Sequence, residues 1–307
     1  MEFLVCPVCR IEERELALET ESEDSGDVLE GRLACEGCGR TFLITNGVAF
    51  LDPAVRSPSA SDKRYETSPV LSSYLWSHFG DILGHERATD AYAHWADLMV
   101  PLAGPAVDIG CAVGRLTFEL AGKSDFAVGL DRSASFIRAA RRLCRTGEFE
   151  FPLMEEGMIS RKVRLTLPPA FRRDNVEFIV ADALALPFRS GFFSSLAGLN
   201  LIDKLPEPLA HFREMNRVAR TSGAQFLFSD PFSWSEDVAG RDKWLGGAGS
   251  GPFSGKGLAN VASLLSGGAS GLRPAWRVEG TGHVWWRIRT HSNHYEEIRS
   301  WYVRAVR

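Results

Sequence analysis

The chain lacks any run of the roughly 18 uncharged apolar residues that a membrane-spanning helix needs. Its start, Met1-Glu2-Phe3-Leu4-Val5-Cys6, lacks a basic segment, a long apolar stretch and a small-residue cleavage site. No secretory signal is read there, and the expected location is cytoplasmic. An excess of base is also missing: 35 Lys and Arg against 39 Asp and Glu leave a net charge of −4. That excludes a surface coated for wrapping nucleic acid, although local basic patches remain allowed. No internal repeat is present. What the chain does have is apolar material, 45% of 307 residues, enough to bury a sizeable core in about two domains.

Cysteine is scarce, with six in all, but four of them stand as Cys6-Pro7-Val8-Cys9 and Cys35-Glu36-Gly37-Cys38. Two CxxC pairs at this separation have the spacing of a tetrahedral four-cysteine zinc site. Each pair can fold as a tight knuckle with backbone amides turned toward the sulfurs. A disulfide reading suits a reduced compartment poorly. A redox reading is poorer too, because neither pair lies between the strand and helix of a thioredoxin-like unit. Cys6, Cys9, Cys35 and Cys38 are therefore expected to hold a structural Zn2+ with no open position for chemistry.

The flanks, Leu4-Val5-Cys6-Pro7 and Cys38-Gly39-Arg40-Thr41-Phe42-Leu43-Ile44-Thr45-Asn46-Gly47-Val48-Ala49-Phe50-Leu51, resemble the small zinc-ribbon family whose members activate tRNA and translation-factor methyltransferases. The family often has proline where Leu43 and Ala49 stand. The resemblance covers residues 1–52 and implies a protein partner reached through the ribbon. Between the knuckles, Glu12 to Glu30 is strongly acidic. It is read as a solvated loop and a poor docking surface for RNA. The Ser- and Pro-rich stretch 52–62 has no periodicity and reads as part of a linker over residues 53–69.

Helical patterns follow, from about Val70 to Phe79 and from Glu86 to Met99. Then Pro105-Ala106-Val107-Asp108-Ile109-Gly110-Cys111-Ala112-Val113-Gly114-Arg115 reads as strand, tight turn and helix. Such a turn alone is weak evidence, since dinucleotide-binding folds share it. Further strands are expected at 126–131, 176–183, 194–201 and 224–231, with helices at 133–144 and 207–219 between them. Alternation of this kind gives a parallel sheet with helices on both faces and ligands at the carboxyl ends of the strands.

In this order the segments resemble class I S-adenosylmethionine-dependent methyltransferases. The family's acidic, glycine-rich motif matches Asp108, Gly110 and Gly114, with Ala112 in the middle glycine slot. The resemblance implies that Asp131 binds the ribose hydroxyls, that Asp182 and the Ala183 amide meet the adenine, and that Asn200 lies under the sulfonium. Cys111 and Arg132 would flank the cofactor. The implied fold is a Rossmann-like α/β sheet of seven strands over residues 70–307, behind a small N-terminal zinc ribbon, with S-adenosylmethionine as cofactor.

A narrower resemblance rests on Asn200-Leu201-Ile202-Asp203-Lys204-Leu205, on Asp230-Pro231-Phe232-Ser233-Trp234-Ser235-Glu236, on Lys243-Trp244-Leu245-Gly246-Gly247, on the insert Phe151–Ile159 and on Tyr74–Gly80. These are similar to the methyltransferase domain of ovothiol-biosynthesis enzymes, which methylates a ring nitrogen of 5-thiohistidine. The sulfur-inserting partner domain of that family is absent from this sequence, and Asp230 stands where the family has Ser. The implied substrate is a small methyl acceptor, either a nitrogen heterocycle or an amino-acid-like molecule.

The tail alternates like an antiparallel hairpin with His291, Asn293, His294 and Tyr295 at its turn. A nitrogen acceptor that must lose a proton wants a base, and Asp203, Asp230 and His291 are the candidates. Trp234 and Trp244 are candidates for an apolar lid. Two readings from other classes stand beside this one: an RNA methyltransferase whose ribbon presents the nucleic acid, and a non-catalytic cofactor-binding scaffold.

Overall fold

The computed structural model describes residues 3–54, 60–268 and 271–307. The ribbon contributes β1 (Ala17–Asp24), β2 (Asp27–Ala34), β3 (Thr41–Thr45) and β4 (Val48–Leu51). Three helices follow: α1 (Ala60–Tyr65), α2 (Ser68–Phe79) and α3 (Ala91–Asp97). The alternating part begins with β5 (Pro105–Ile109), α4 (Arg115–Ala121), β6 (Phe126–Asp131) and α5 (Ala134–Thr146). It continues through β7 (Glu148–Glu156), β8 (Ile159–Thr166), β9 (Val176–Ala181) and β10 (Ser195–Leu199). It closes with α6 (Pro208–Val218), β11 (Gln225–Asp230), α7 (Gly257–Leu265), β12 (Arg277–His291) and β13 (His294–Val306).

The order β9-β6-β5-β10-β11-β13-β12 gives the seven strands expected from the sequence. The first five run parallel, and β13 closes antiparallel to β11 and β12. β10 and β11 are buried along their whole length, which is why they read as continuous apolar runs rather than as alternation. Helices α2 to α5 cover one face of the sheet, and α6 and α7 cover the other. Local signals set the helix limits. The Ser133 hydroxyl accepts the Phe136 amide proton at the start of α5, and Gly147 ends that helix at φ 75°.

The sheet does not stop at seven strands. β4 pairs in parallel with β9, matching Phe50 to Val180 and Leu51 to Ala181. The ribbon thereby extends one sheet to eleven strands. The Val5 amide donates to the Pro187 carbonyl at 2.9 Å, and Arg10 pairs with Glu214 at 2.9 Å. Leu33, Phe42 and Leu51 join the same core as Ile179 and Phe188. Ribbon and sheet residues on either side of the linker read over 53–69 thus belong to one hydrophobic cluster.

Three local readings change. The acidic stretch 12–30 is largely the β1–β2 hairpin rather than a loop, and its Asp27 and Asp24 pair with Arg141 and Arg145 of α5. The pattern over 86–99 yields only the short α3. The insert 151–159 belongs to a separate two-stranded hairpin of β7 and β8. The stretch 52–62 read as linker falls partly on residues 55–59, which lie outside those described.

Gly114 shows how tightly the first turn is packed. It sits at φ 84°, and a Cβ there would lie 2.6 Å from the ring of Phe178, itself fully buried. Gly114→Ala should therefore cost about 2–4 kcal/mol, combining left-handed strain with overpacking. Urea denaturation of the variant checks this, and an unchanged midpoint would remove the packing constraint.

Candidate functional site

Two sites emerge. In the first, the ligand sulfurs of Cys6, Cys9, Cys35 and Cys38 all lie within 4.8 Å of one another. The Cys6 and Cys38 sulfurs are 3.7 Å apart, against an edge of roughly 3.8 Å for a tetrahedron with Zn–S bonds of about 2.3 Å. Backbone amides of Val8 and Cys9 point at the Cys6 sulfur, and that of Arg40 at the Cys38 sulfur. Burial pushes the Cys6 thiol up to about 12, and the hydrogen bond with Cys38 pushes Cys9 to about 11. Gathering four thiolates here calls for a cation, and the donor set fits structural zinc. His291 and His294 stack at 5.7 Å but form no second metal cluster among the described residues.

The second site is a cavity of about 1340 Å³ at the carboxyl ends of the parallel strands. Gly110, Cys111 and Ala112 form its floor with Asp108. Gly110 takes φ 78°, and a Cβ there would come within 2.9 Å of Leu201. Ala112 takes φ 46°, so the middle glycine slot is left-handed although alanine fills it. That strain, about 1 kcal/mol, is held by Asp131: its carboxylate accepts the Ala112 amide proton at 3.1 Å and the Ser133 amide proton at 2.8 Å. Asp108 accepts the Thr117 hydroxyl proton at 2.8 Å, and burial raises its carboxyl to about 7. Burial also raises Asp131.

Asp131, Asp182 and Ala183 line the cavity along one wall, as does Arg132, which pairs with Asp52 at 3.2 Å. Asn200 lines it from the end of β10. Gly114 does not line it; its place is the packing against Phe178. The volume exceeds the 300–1,000 Å³ of an ordinary ligand site, which leaves space beyond a nucleoside-sized cofactor. A loop free of bulky side chains, followed by two acids at successive strand ends, fits S-adenosylmethionine.

The candidate bases separate. Asp203 lines the cavity and is 1% exposed. One carboxylate oxygen accepts from the Ser233 amide at 3.0 Å and the Lys204 ammonium at 3.1 Å, while the other has no partner among the described residues. Burial raises its carboxyl above the usual range. Asp230 is fully buried and does not line the cavity. Its oxygens accept the Ile202 and Phe232 amide protons at 3.1 and 2.7 Å, so it ties two loops together. His291 also falls outside the cavity; the strand turns Thr290 toward it instead. Trp234 and Trp244 stack at 6.1 Å away from the lining.

The resemblance over Tyr74–Gly80 assigns its residues no role, and the far wall they help to form is not read from the sequence. His78 of α2 meets the Tyr92 hydroxyl at 2.6 Å through Nε2, and their rings stack at 3.9 Å. Both line the cavity beside Tyr74, Trp286 and Ile298. Burial keeps His78 neutral, lowering its pKa well below the usual value. No spacing signal marks this pair.

Comparison with known proteins agrees with this geometry. Residues 107–227 match the family model described as a methyltransferase domain, and residues 1–47 match that of Trm112p-like proteins. Over 136 residues the chain is 30% identical to a demethylmenaquinone methyltransferase of Roseiflexus castenholzii, covering 42% of this chain. That alignment spans 46% of the relative's length. Among solved structures, a methyltransferase from Methanosarcina mazei is 18% identical, with a TM-score of 0.45 over 71% of this chain and 98% of its own. A complex of the Haloferax volcanii Trm112 methyltransferase activator with a methyltransferase is 14% identical, with a TM-score of 0.45 over 75% and 93%. Residues 107–227 are thus similar to methyltransferase domains, and residues 1–47 to Trm112p-like proteins. The ovothiol resemblance finds no counterpart among these matches.

Two outcomes test the sites. The double variant Cys35→Ser, Cys38→Ser should lose its zinc by elemental analysis and become protease-sensitive in the ribbon, because metal binding and folding are linked there. Full zinc retention would refute the four-cysteine assignment. Asp131→Ala should weaken S-adenosylhomocysteine binding about ten- to hundredfold by calorimetry, the worth of a hydrogen bond to a charged group. Unchanged affinity would remove Asp131 from the cofactor site.

Proposed function

We propose that the chain is an S-adenosylmethionine-dependent methyltransferase acting on a small polar acceptor, and that it methylates a nitrogen of a histidine-like or other heterocyclic amine. The cavity carries this reading. Its glycine-loop side suits the donor, and the space bounded by Asp203, His78, Tyr92 and Trp286 is left for a compact second molecule. The resemblance of the Asn200–Leu205 and Asp230–Glu236 segments to ovothiol-type methyltransferases points to the same acceptor class.

S-adenosylmethionine brings an already activated methyl group on a sulfonium. The chain's own task is to hold the acceptor in line and exclude water. As the N–C bond forms, the S–C electrons stay with sulfur and the acceptor nitrogen releases a proton. Asp203, which lines the cavity, is the base that would take that proton, and burial strengthens its hold on it. The ribbon's partner, in this reading, is the methyltransferase domain of the same chain, joined through β4 and β9. Residues 1–52 and 70–307 would then act as one unit.

The RNA alternative draws on Arg40, Arg64, Arg132 and Lys204, all in the cavity lining. Three of them are already engaged: Arg40 with the Pro53 carbonyl, Arg132 with Asp52 and Lys204 with Asp203. The test is a screen of heterocyclic amines, amino acids and RNA with labelled donor. Small amines should be methylated. Asp203→Asn should then lower turnover by about a hundredfold or more, the usual worth of a general base, while S-adenosylhomocysteine affinity holds. Normal turnover in the variant would remove Asp203 from the chemistry. Methylation of RNA alone would overturn the small-acceptor reading, and no methylation of any acceptor would favour the scaffold.

A further inference from the structure

The tail hairpin reaches into the cavity through a directed chain of hydrogen bonds. Trp286 of β12 and Ser300 of β13 are 5% and 0% exposed. The Trp286 indole donates from Nε1 to the Ser300 hydroxyl oxygen at 2.9 Å, and an indole N–H can only donate. The Ser300 hydroxyl keeps its own proton to give, and Asn200 Oδ1, at 2.5 Å, is the acceptor within its reach. At 2.5 Å the contact has the length of an O–H···O bond and is too short for an N–H···O one, so the separation sets which way round the Asn200 amide stands. Its oxygen faces Ser300 and its NH2 faces away.

That NH2 has no protein partner among the described residues, yet it is absent from the buried polar atoms left unsatisfied. It is therefore accessible, on a residue that lines the cavity. β10 lies beside β5, pairing Gly198 with Ile109, and Leu201 packs on Gly110. Asn200 thus stands on the donor's side of the cavity. The amino-acid end of that donor carries an ammonium, a sulfonium and a carboxylate. A fixed NH2 repels the first two and matches the third.

We propose that the Trp286–Ser300 relay locks Asn200 as a hydrogen-bond donor to the amino-acid carboxylate of the bound nucleoside cofactor. Ser300 and Trp286 are positioning residues in this arrangement. The inference rests on the cofactor reading of the cavity given above. It differs from a role for Asn200 beneath the sulfonium, where an oxygen rather than an NH2 would be wanted.

The experiment is calorimetry on the full chain with two probes: S-adenosylhomocysteine, and 5′-methylthioadenosine, which lacks the amino-acid end. Asn200→Asp replaces the donor with a second oxygen and should weaken S-adenosylhomocysteine about tenfold or more. Ser300→Ala unlocks the amide and should weaken it several-fold. Neither variant should alter methylthioadenosine affinity, which a general collapse of the pocket would lower equally. Unchanged S-adenosylhomocysteine affinity in both variants, or equal losses for the two probes, overturns the relay while leaving the cofactor reading intact. Failure of the unmodified protein to bind either probe overturns both.

Discussion

A segment of about fifty residues buries too little apolar surface to be secure by itself, and the ribbon meets that limit in two ways. The four-cysteine clip closes its two knuckles, and β4 lies down against β9. The second contact gives the rest of the molecule its shape. It covers the edge of the methyltransferase sheet, which would otherwise present unpaired backbone groups. It also brings the end of the ribbon to the rim of the cavity, where Arg40, Asp52 and Pro53 join the lining. Asp52 then reaches Arg132, the residue after Asp131. The ribbon is a wall of the functional site as well as a support for it.

Around the cavity, acids dominate the strand ends. Asp108, Asp131, Asp203 and Asp230 stand at or just beyond the carboxyl ends of four neighbouring strands, and burial raises the pKa of all four. For Asp230 the nearby Asp203 charge adds to the effect. Buried carboxyls are tolerated where backbone amides satisfy them, and Asp131 and Asp230 are satisfied in this way on both oxygens. Asp203 is different because one oxygen remains without a partner among the described residues. Asp108, Asp131 and Asp230 each hold local structure in place through these bonds.

The parts legible in the sequence are those with a local signal. Two CxxC pairs mark the metal site, and continuous apolar runs ending in Asp131, Asp182 and Asp230 mark the strands. What escapes depends on long-range choice. Val48-Ala49-Phe50-Leu51 reads as a strand whichever neighbour it takes, so its pairing with β9 is invisible there. The acidic hairpin of β1 and β2 looks like a loop because β1 is rich in acid and exposed along nearly its whole length. Arg141 and Arg145, more than a hundred positions away, give Asp27 and Asp24 their ion-pair partners. His78 and Tyr92 lie on different helices, and no spacing rule connects them.

The hairpin residues show the sharpest form of this limit. Along a strand, a shift of one position moves a side chain to the opposite face. His291 looks like the chemical residue of the tail, yet the strand presents Thr290 to the cavity and leaves His291 at the turn. Ser300 draws no notice in the sequence, but β13 pairs Asp230 with Trp301 and thereby turns Ser300 toward Asn200. A one-residue slip of β13 against β11 would put Trp301 in that place and cut the link to Trp286. The register that closes the sheet therefore also decides which polar atoms the tail delivers to the site, and the antiparallel hairpin is the last element of the active cavity to be specified.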